Sequence, residues 1–313
     1  SSSHSAKVKN QHYFTKICLQ SFMGILQKIG DTAVNLATDA RYSLPSFTQS
    51  WATLLVYLLF SLLLSIALIV IPTGIVSNQL FTYIVTMIPP FVYLLLIGRR
   101  RRFKEVPIVK ASNGKLSTFS VFFIVTLLTL LLQIATDPLT SWMTMPDYFK
   151  KLLQSLINGS TSQIIAIVVA APLLEELLLR GFIERGLIYH IGGTKAIFVS
   201  AVIFGIMHFN PWQALPAFII GLALGWVYWR THNLWLTILM HFITNGTSVI
   251  TTRLFPGYSM SDSFLQDILR EYAGDWAYVV LVSVCAALAA VLFYHLNRKL
   301  SCGKELFPMA KKN

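Results

Sequence analysis

The sequence predicts an all-α, polytopic membrane protein of about eight transmembrane helices with a reactive site inside the bundle, and three observations carry the membrane fold. The 313 residues are 55% hydrophobic and only 12% charged, whereas a soluble domain carries about 25% charged residues. Apolar runs of roughly 20 residues, the length that spans a ~30 Å hydrocarbon core, recur along the chain. The basic residues behind the net charge of +12 cluster in the short connections between those runs, where they set topology and meet anionic lipid. No basic-aromatic interleaving supports a nucleic-acid partner. One polytopic domain accounts for the length.

Residues 1–50 read as a cytosolic N-terminal segment. Within it Phe14, Ile17, Cys18, Phe22, Ile25, Leu26 and Ile29 recur at i, i+3/i+4 with Lys16 and Lys28 opposite, the pattern of an amphipathic helix lying on a membrane surface. The opening SSSHSAKVKN lacks the apolar core of a signal peptide. Pro45 then breaks the chain ahead of the membrane domain, read as 51–296 and followed by a basic cytosolic tail, 297–313. Its spans fall near 51–72, 80–98, 117–135, 163–187, 195–209, 212–230, 234–251 and 276–296. Pro89, Pro90, Pro172 and Pro216 lie within spans, and kinks there need support from neighbouring helices. Between the last two spans, Ser261 or Ser263 is suited to cap a short outer helix with Phe264, Leu265, Ile268, Leu269 and Tyr272 on one face. Cys18, Cys285 and Cys302 form neither a disulfide framework nor a zinc-ligand spacing.

Loop charge agrees with this count. With both termini cytosolic, the basic run Arg99 to Arg102 with Lys104, then Arg185 and Lys195, Arg230, and the tail share the cytosolic side. The uncharged 73–79 loop, the Phe209-Asn210-Pro211 turn and the acid-rich 252–275 stretch fall opposite. Lys150 and Lys151 are a mild exception beside Asp137 and Asp147. Six tryptophans, Trp212 and Trp235 among them, lie near span ends as an aromatic belt does, and His190, His232 and His295 read as interfacial. The expected setting is a bacterial plasma membrane, with internal eukaryotic or archaeal membranes open.

Few ionisable groups fall well inside spans: Glu175, Glu176 and Arg180 in the fourth, His208 in the fifth and His241 in the seventh, with Asn245 four residues on. Counted from the cytosolic ends at about 1.5 Å per residue, Glu175 lies at ~18 Å, His208 at ~20 Å, His241 at ~10 Å and Asn245 at ~16 Å. Groups on three helices in one layer meet only by converging inside the bundle. Glu176 and Arg180 are i, i+4 and can pair. Glu175 is turned about 100° away and is free to face a cavity.

A carboxylate and an imidazole at one site can activate water, since burial tunes both toward neutrality. A second imidazole and an amide can donate to the oxyanion of a tetrahedral intermediate. Those parts suffice for peptide hydrolysis without a covalent nucleophile. The same groups could instead be polar glue between helices or one end of a transporter's proton relay. Glu175, His208 and His241, with water as fourth ligand, also leave a zinc site open, although no HExxH is present.

The motifs Glu175-Glu176-x-x-x-Arg180, Phe204-x-x-x-His208 and His241-x-x-x-Asn245, in this order across 163–250, resemble those of the type II CAAX prenyl protease and bacteriocin-processing (CPBP, or Abi) family. The resemblance implies an eight-helix intramembrane endopeptidase of glutamate type, with no cofactor expected and zinc the variant left open. It implies that Glu175 and His208 activate the water, that His241 and Asn245 form the oxyanion hole, and that Glu176, Arg180 and Phe204 support the site. It also implies a membrane-embedded or lipidated peptide substrate, either a prenylated CAAX protein or a pheromone or bacteriocin precursor. A non-catalytic immunity or scaffold protein of the same fold is the alternative. Oligomeric state and organism are not legible from these residues.

Overall fold

A computed structural model describes residues 45–70, 78–100, 111–255 and 263–300. The helix expected at 11–29, the basic loop residues 101–104 and the tail beyond residue 300 lie outside them. The described residues form helices α1 (Phe47–Val70), α2 (Gln79–Arg100), α3 (Thr118–Thr136), α4 (Asp147–Ile157) and α5 (Thr161–Ile191). They continue with α6 (Gly193–Ile206), α7 (Pro211–Thr231), α8 (Leu234–Leu254), α9 (Phe264–Ala273) and α10 (Asp275–Lys299). Seven of these are long and apolar enough to cross a membrane, and α6 is a shorter apolar helix. Together they are the eight apolar elements expected, and the protein is an all-α, multi-pass membrane protein.

Helix starts follow local chemistry. Ser46 and Gln49 form a reciprocal box at the head of α1: the Ser46 N–H donates to Gln49 Oε1 at 2.9 Å and the Gln49 N–H to Ser46 Oγ at 3.4 Å. Ser117 caps α3. Asn210 caps α7 with Pro211 in the first turn, and Asn233 caps α8. Inside the spans, hydroxyls of Thr53, Ser61, Thr129 and Thr244 donate back to carbonyls four residues earlier, which satisfies them where lipid offers no partner. Leucines such as Leu55, Leu59 and Leu63 on α1 stay exposed, as the lipid-facing side of a span should be.

Three elements differ from expectation. Residues 147–157 form the amphipathic helix α4, read from sequence as a loop; none of its residues is fully buried. Ser263 occupies the N-cap position of α9 but makes no side-chain cap bond. His232 lies at a span end as expected but is buried within the protein there, in the α7–α8 turn at φ 48°, with its ring edge-on to Tyr228.

The centre of the bundle is α5. It runs through Pro172 without ending. Its irregularity lies in two π-helical stretches, Ala166–Ala170 and Leu177–Glu184, on either side of an α turn. π turns inside α-helices are rare and recur at functional sites. Against α5 pack α2, α6 and α8, while α6 lies along α7 and α3 along α10. The α6–α7 approach depends on Gly221, where a Cβ would lie 3.1 Å from the Phe204 ring and 3.3 Å from Ala201.

Candidate active site

The intramembrane charges of α5 form a ladder along one face. Arg180 Nη1 meets Glu176 Oε1 at 2.9 Å, and its Nε lies 3.6 Å from Glu184 Oε2. The three side chains are at i, i+4 and i+8; an α turn of 3.6 residues lets such positions drift off a common face, and the wider π turn offsets that drift. All three are fully buried. Arg180 Nη2 also donates to the Gly221 carbonyl at 3.0 Å, and the guanidinium sits 5.2 Å from the Phe204 ring centroid. Glu184 accepts from the Ser200 hydroxyl at 2.8 Å. The sequence reading paired Glu176 with Arg180 but missed Glu184, whose place four residues further along was the available signal.

Glu176 also reaches the next helix, since His241 Nδ1 lies 3.0 Å from Glu176 Oε1. A carboxylate only accepts, so the Nδ1 hydrogen belongs to the imidazole. The opposite ring nitrogen, Nε2, is 3.8 Å from Glu175 Oε2. His241 therefore bridges the two adjacent carboxylates of α5. Tyr83 of α2 donates its hydroxyl to Glu175 Oε1 at 2.7 Å. No spacing within the motifs points to Tyr83, because its partner lies 92 residues away.

His208 does not lie within a helix as expected. It follows α6 in the turn that leads through Phe209, at φ 59°, to the Asn210 cap. There His208 Nδ1 donates to the Phe204 carbonyl at 2.9 Å, occupying one of the acceptors that a helix end leaves open. This fixes Nε2 as the nitrogen with a lone pair. Asn245 donates through Nδ2 to the Ile167 carbonyl at 2.8 Å, within the first π stretch. An amide carries two such hydrogens, so one remains for another partner.

His208, His241 and Asn245 border one cavity of about 340 Å3, together with Phe204, Gln133 and Thr244. Glu175 does not border it and lies behind His241. The convergence expected from depth is thus met on three elements, with Glu175 reached through His241. Among the described residues, no three His, Cys, Asp or Glu side chains gather closely enough to hold a metal ion, and Glu175, His208 and His241 do not form such a ring.

Comparison with known proteins agrees with the motifs. Residues 157–247 match the family described as "Type II CAAX prenyl endopeptidase Rce1-like". The chain is also similar to the "Putative membrane peptidase YdiL" of Bacillus subtilis (strain 168), at 31% identity over 101 residues. That alignment takes in 32% of this chain and 41% of the relative's length. No solved structure matches the chain. The matched segment contains all seven motif residues from Glu175 to Asn245, and over that segment the chain is similar to the Rce1-like group.

Proposed function

We propose that the protein is an intramembrane endopeptidase that hydrolyses a peptide bond of a membrane-associated substrate with a water activated by Glu175 and His208. The observation that carries this reading is the common cavity: His208, His241 and Asn245 line it, and Glu175 stands 3.8 Å behind His241. Water in the cavity gives up a proton to the His208 imidazole, which borders it, with Glu175 acting through His241, as its oxygen attacks the peptide carbonyl carbon. The second Asn245 amide hydrogen is a donor for the oxyanion that develops, and a hydrogen on His241 Nε2 would be another. Collapse of the intermediate breaks the C–N bond, the stored proton passes to the leaving amine, and a carboxylate and an amine depart.

The Glu176–Arg180–Glu184 ladder positions these groups from behind the cavity, and Phe204 supports them from its wall. Glu176 holds His241 by its Nδ1–H, and Tyr83 holds Glu175 by its far oxygen. This mechanism routes no step through a metal.

The test is a cleavage assay in membranes, with a farnesylated CAAX peptide set against unmodified precursor peptides, each with and without chelator. Glu175→Gln is expected to fold and to lose cleavage by roughly 10²–10⁴-fold, the range of a positioned acid–base group. Undiminished cleavage in that variant overturns the mechanism. Loss of cleavage on adding chelator favours the zinc variant instead.

A further inference from the structure

The cavity that holds the reacting groups also holds a carboxylate that the mechanism does not use. Asp137 follows α3 in a short 3-10 turn and borders the same space of about 340 Å3 as His208, His241 and Asn245. It is half-buried, near the end of a span that runs to Leu139. An ionisable side chain within a span is costly to keep, which makes it a candidate functional group.

Structural duty accounts for only one of its oxygens. The Tyr278 hydroxyl of α10 donates to Asp137 Oδ2 at 2.8 Å, which ties α10 to α3. Among the described residues no donor meets Oδ1, and that oxygen is not enclosed by protein. It therefore opens on the space that Asp137 borders. The turn beneath it is fixed, because the Thr140 and Ser141 N–H groups both donate to the Asp137 carbonyl at 3.0 Å. The carboxylate is held in place before any ligand arrives.

The rest of the cavity wall offers no countercharge. Among the described residues that border it, Asp137 is the only Asp, Glu, Lys or Arg. Its polar neighbours there, Gln133, Thr136, Thr244 and Ser248, are neutral. Lys150 borders a second cavity beyond Asp137 but not this one. An ionised carboxylate only accepts hydrogen bonds. In a partly desolvated site a neutral donor leaves its charge uncompensated, whereas a cation both donates and neutralises.

Helix geometry sets its distance from the reacting groups. The Thr247 hydroxyl of α8 meets Gln133 Oε1 of α3 at 2.6 Å, and Asp137 shares the second cavity with Thr252. The two helices therefore advance side by side in the same direction. Asp137 lies ~6 Å beyond Gln133, and Asn245 lies ~3 Å before Thr247, at about 1.5 Å per residue. The carboxylate thus stands ~9 Å along the bundle from the Asn245 donor. An extended chain covers that distance in about three residues, at about 3.3 Å each.

Resting on the peptidase reading above, we propose that Asp137 is a specificity-determining residue whose Oδ1 pairs with a cationic group of the substrate, an ammonium or guanidinium, about three residues from the scissile bond. The pair anchors the chain at one point while Asn245 meets it at another. Two anchors at a fixed separation set the register in which the peptide is cut.

The experiment uses the full chain in neutral detergent, carrying Glu175→Gln so that bound peptide is not turned over. The probes are short Ala/Leu peptides with amidated C-termini and an uncharged fluorophore, read by anisotropy. One set is N-acetylated with a single Lys at each position in turn. A second carries norleucine in place of Lys, and a third carries norleucine and a free α-amine. The Lys peptide at its best position, or the free-amine peptide if the α-amine is the cation, is expected to bind about 10- to 100-fold tighter than the acetylated norleucine peptide, the strength of a hydrogen bond to a charged group. Asp137→Asn keeps an acceptor for Tyr278 and is expected to erase that difference.

Equal affinity for all three sets overturns the proposal, and that comparison needs no substitution at Asp137. A cation preference that survives Asp137→Asn overturns it too, since a purely structural Asp137 weakens every probe alike and leaves the ratio unchanged. Asp137→Ser repeats the comparison if the amide variant fails to fold. The same peptides are then given to protein with Glu175 intact in membranes. Cation-selective binding with no cleavage leaves the subsite standing and sinks the peptidase reading. Cleavage with no selectivity between the sets leaves the peptidase reading standing and sinks the subsite.

Discussion

Replacing Arg180 by methionine tests whether the buried ladder holds the site together. The substitution keeps most of the side-chain volume and removes the cation paired with the carboxylates of Glu176 and Glu184, at 2.9 and 3.6 Å. Both acids are fully buried, so neither can turn to solvent. Breaking a buried pair by removing one partner costs about 3–5 kcal/mol, and here one cation serves two anions. Loss of the bond to the Gly221 carbonyl adds about 1 kcal/mol. Thermal unfolding in detergent should therefore fall by roughly 10 °C.

A second variant separates charge from packing. Adding Glu176→Gln and Glu184→Gln to Arg180→Met removes the stranded anions, and most of the lost stability should return. Activity should not, because Glu176 no longer offers a carboxylate to His241 Nδ1. An Arg180→Met protein that melts within 2 °C of the wild type would refute the reasoning, and so would a triple variant as unstable as the single one.

Four further outcomes follow from the same geometry. Tyr83→Phe removes one hydrogen bond to the Glu175 carboxylate, worth about 1.5–3 kcal/mol for a charged acceptor; the melting temperature should fall by several degrees and kcat/KM should drop roughly 10- to 100-fold. Gly225→Ala places a Cβ 2.8 Å from Glu184 Oε2, and this overpacking against a fixed carboxylate should cost about 1–3 kcal/mol in a melting assay. Burial, with the charge of Arg185 adding to it, pushes the His232 imidazole down to about 4. Its folded value is lower than its unfolded one near 6.5, so the stabilisation is full above pH 6.5 and is lost as pH falls toward 4, about 3 kcal/mol in all. His232→Asn, which tolerates the left-handed backbone at that turn, should flatten the dependence of melting temperature on pH. Finally, Asn245→Ala removes both the Ile167 bond and an oxyanion donor, and kcat should fall about 10²–10³-fold with KM little changed.

Much of the fold was legible because a bilayer constrains sequence so directly. Span length follows from hydrocarbon thickness, which is why the predicted 163–187 and 212–230 lie within the observed Thr161–Ile191 and Pro211–Thr231. The i, i+4 relation of Glu176 and Arg180 survived because local helical spacing sets it. By contrast, α4 was missed since its eleven residues are too short and too polar to register as a span. Its apolar Phe149, Leu153, Leu156 and Ile157 were the signal that went unread. The place of His232 at a span end was legible, but its burial there beside Tyr228 is a matter of tertiary packing.

The sequence by itself determined that this is an all-α membrane bundle and singled out Glu175, His208, His241 and Asn245 as polar groups within or beside its apolar segments. Composition, span length and helical period are properties of neighbouring residues, and they carry that much. Only the tertiary structure decided that His241 stands between Glu175 and Glu176, that Tyr83 from a distant helix holds Glu175, and that Glu184 completes the ladder under Arg180. Contacts between helices far apart in sequence depend on how π turns rotate α5 and on where Gly221 lets α7 approach α6, and no local pattern encodes that rotation.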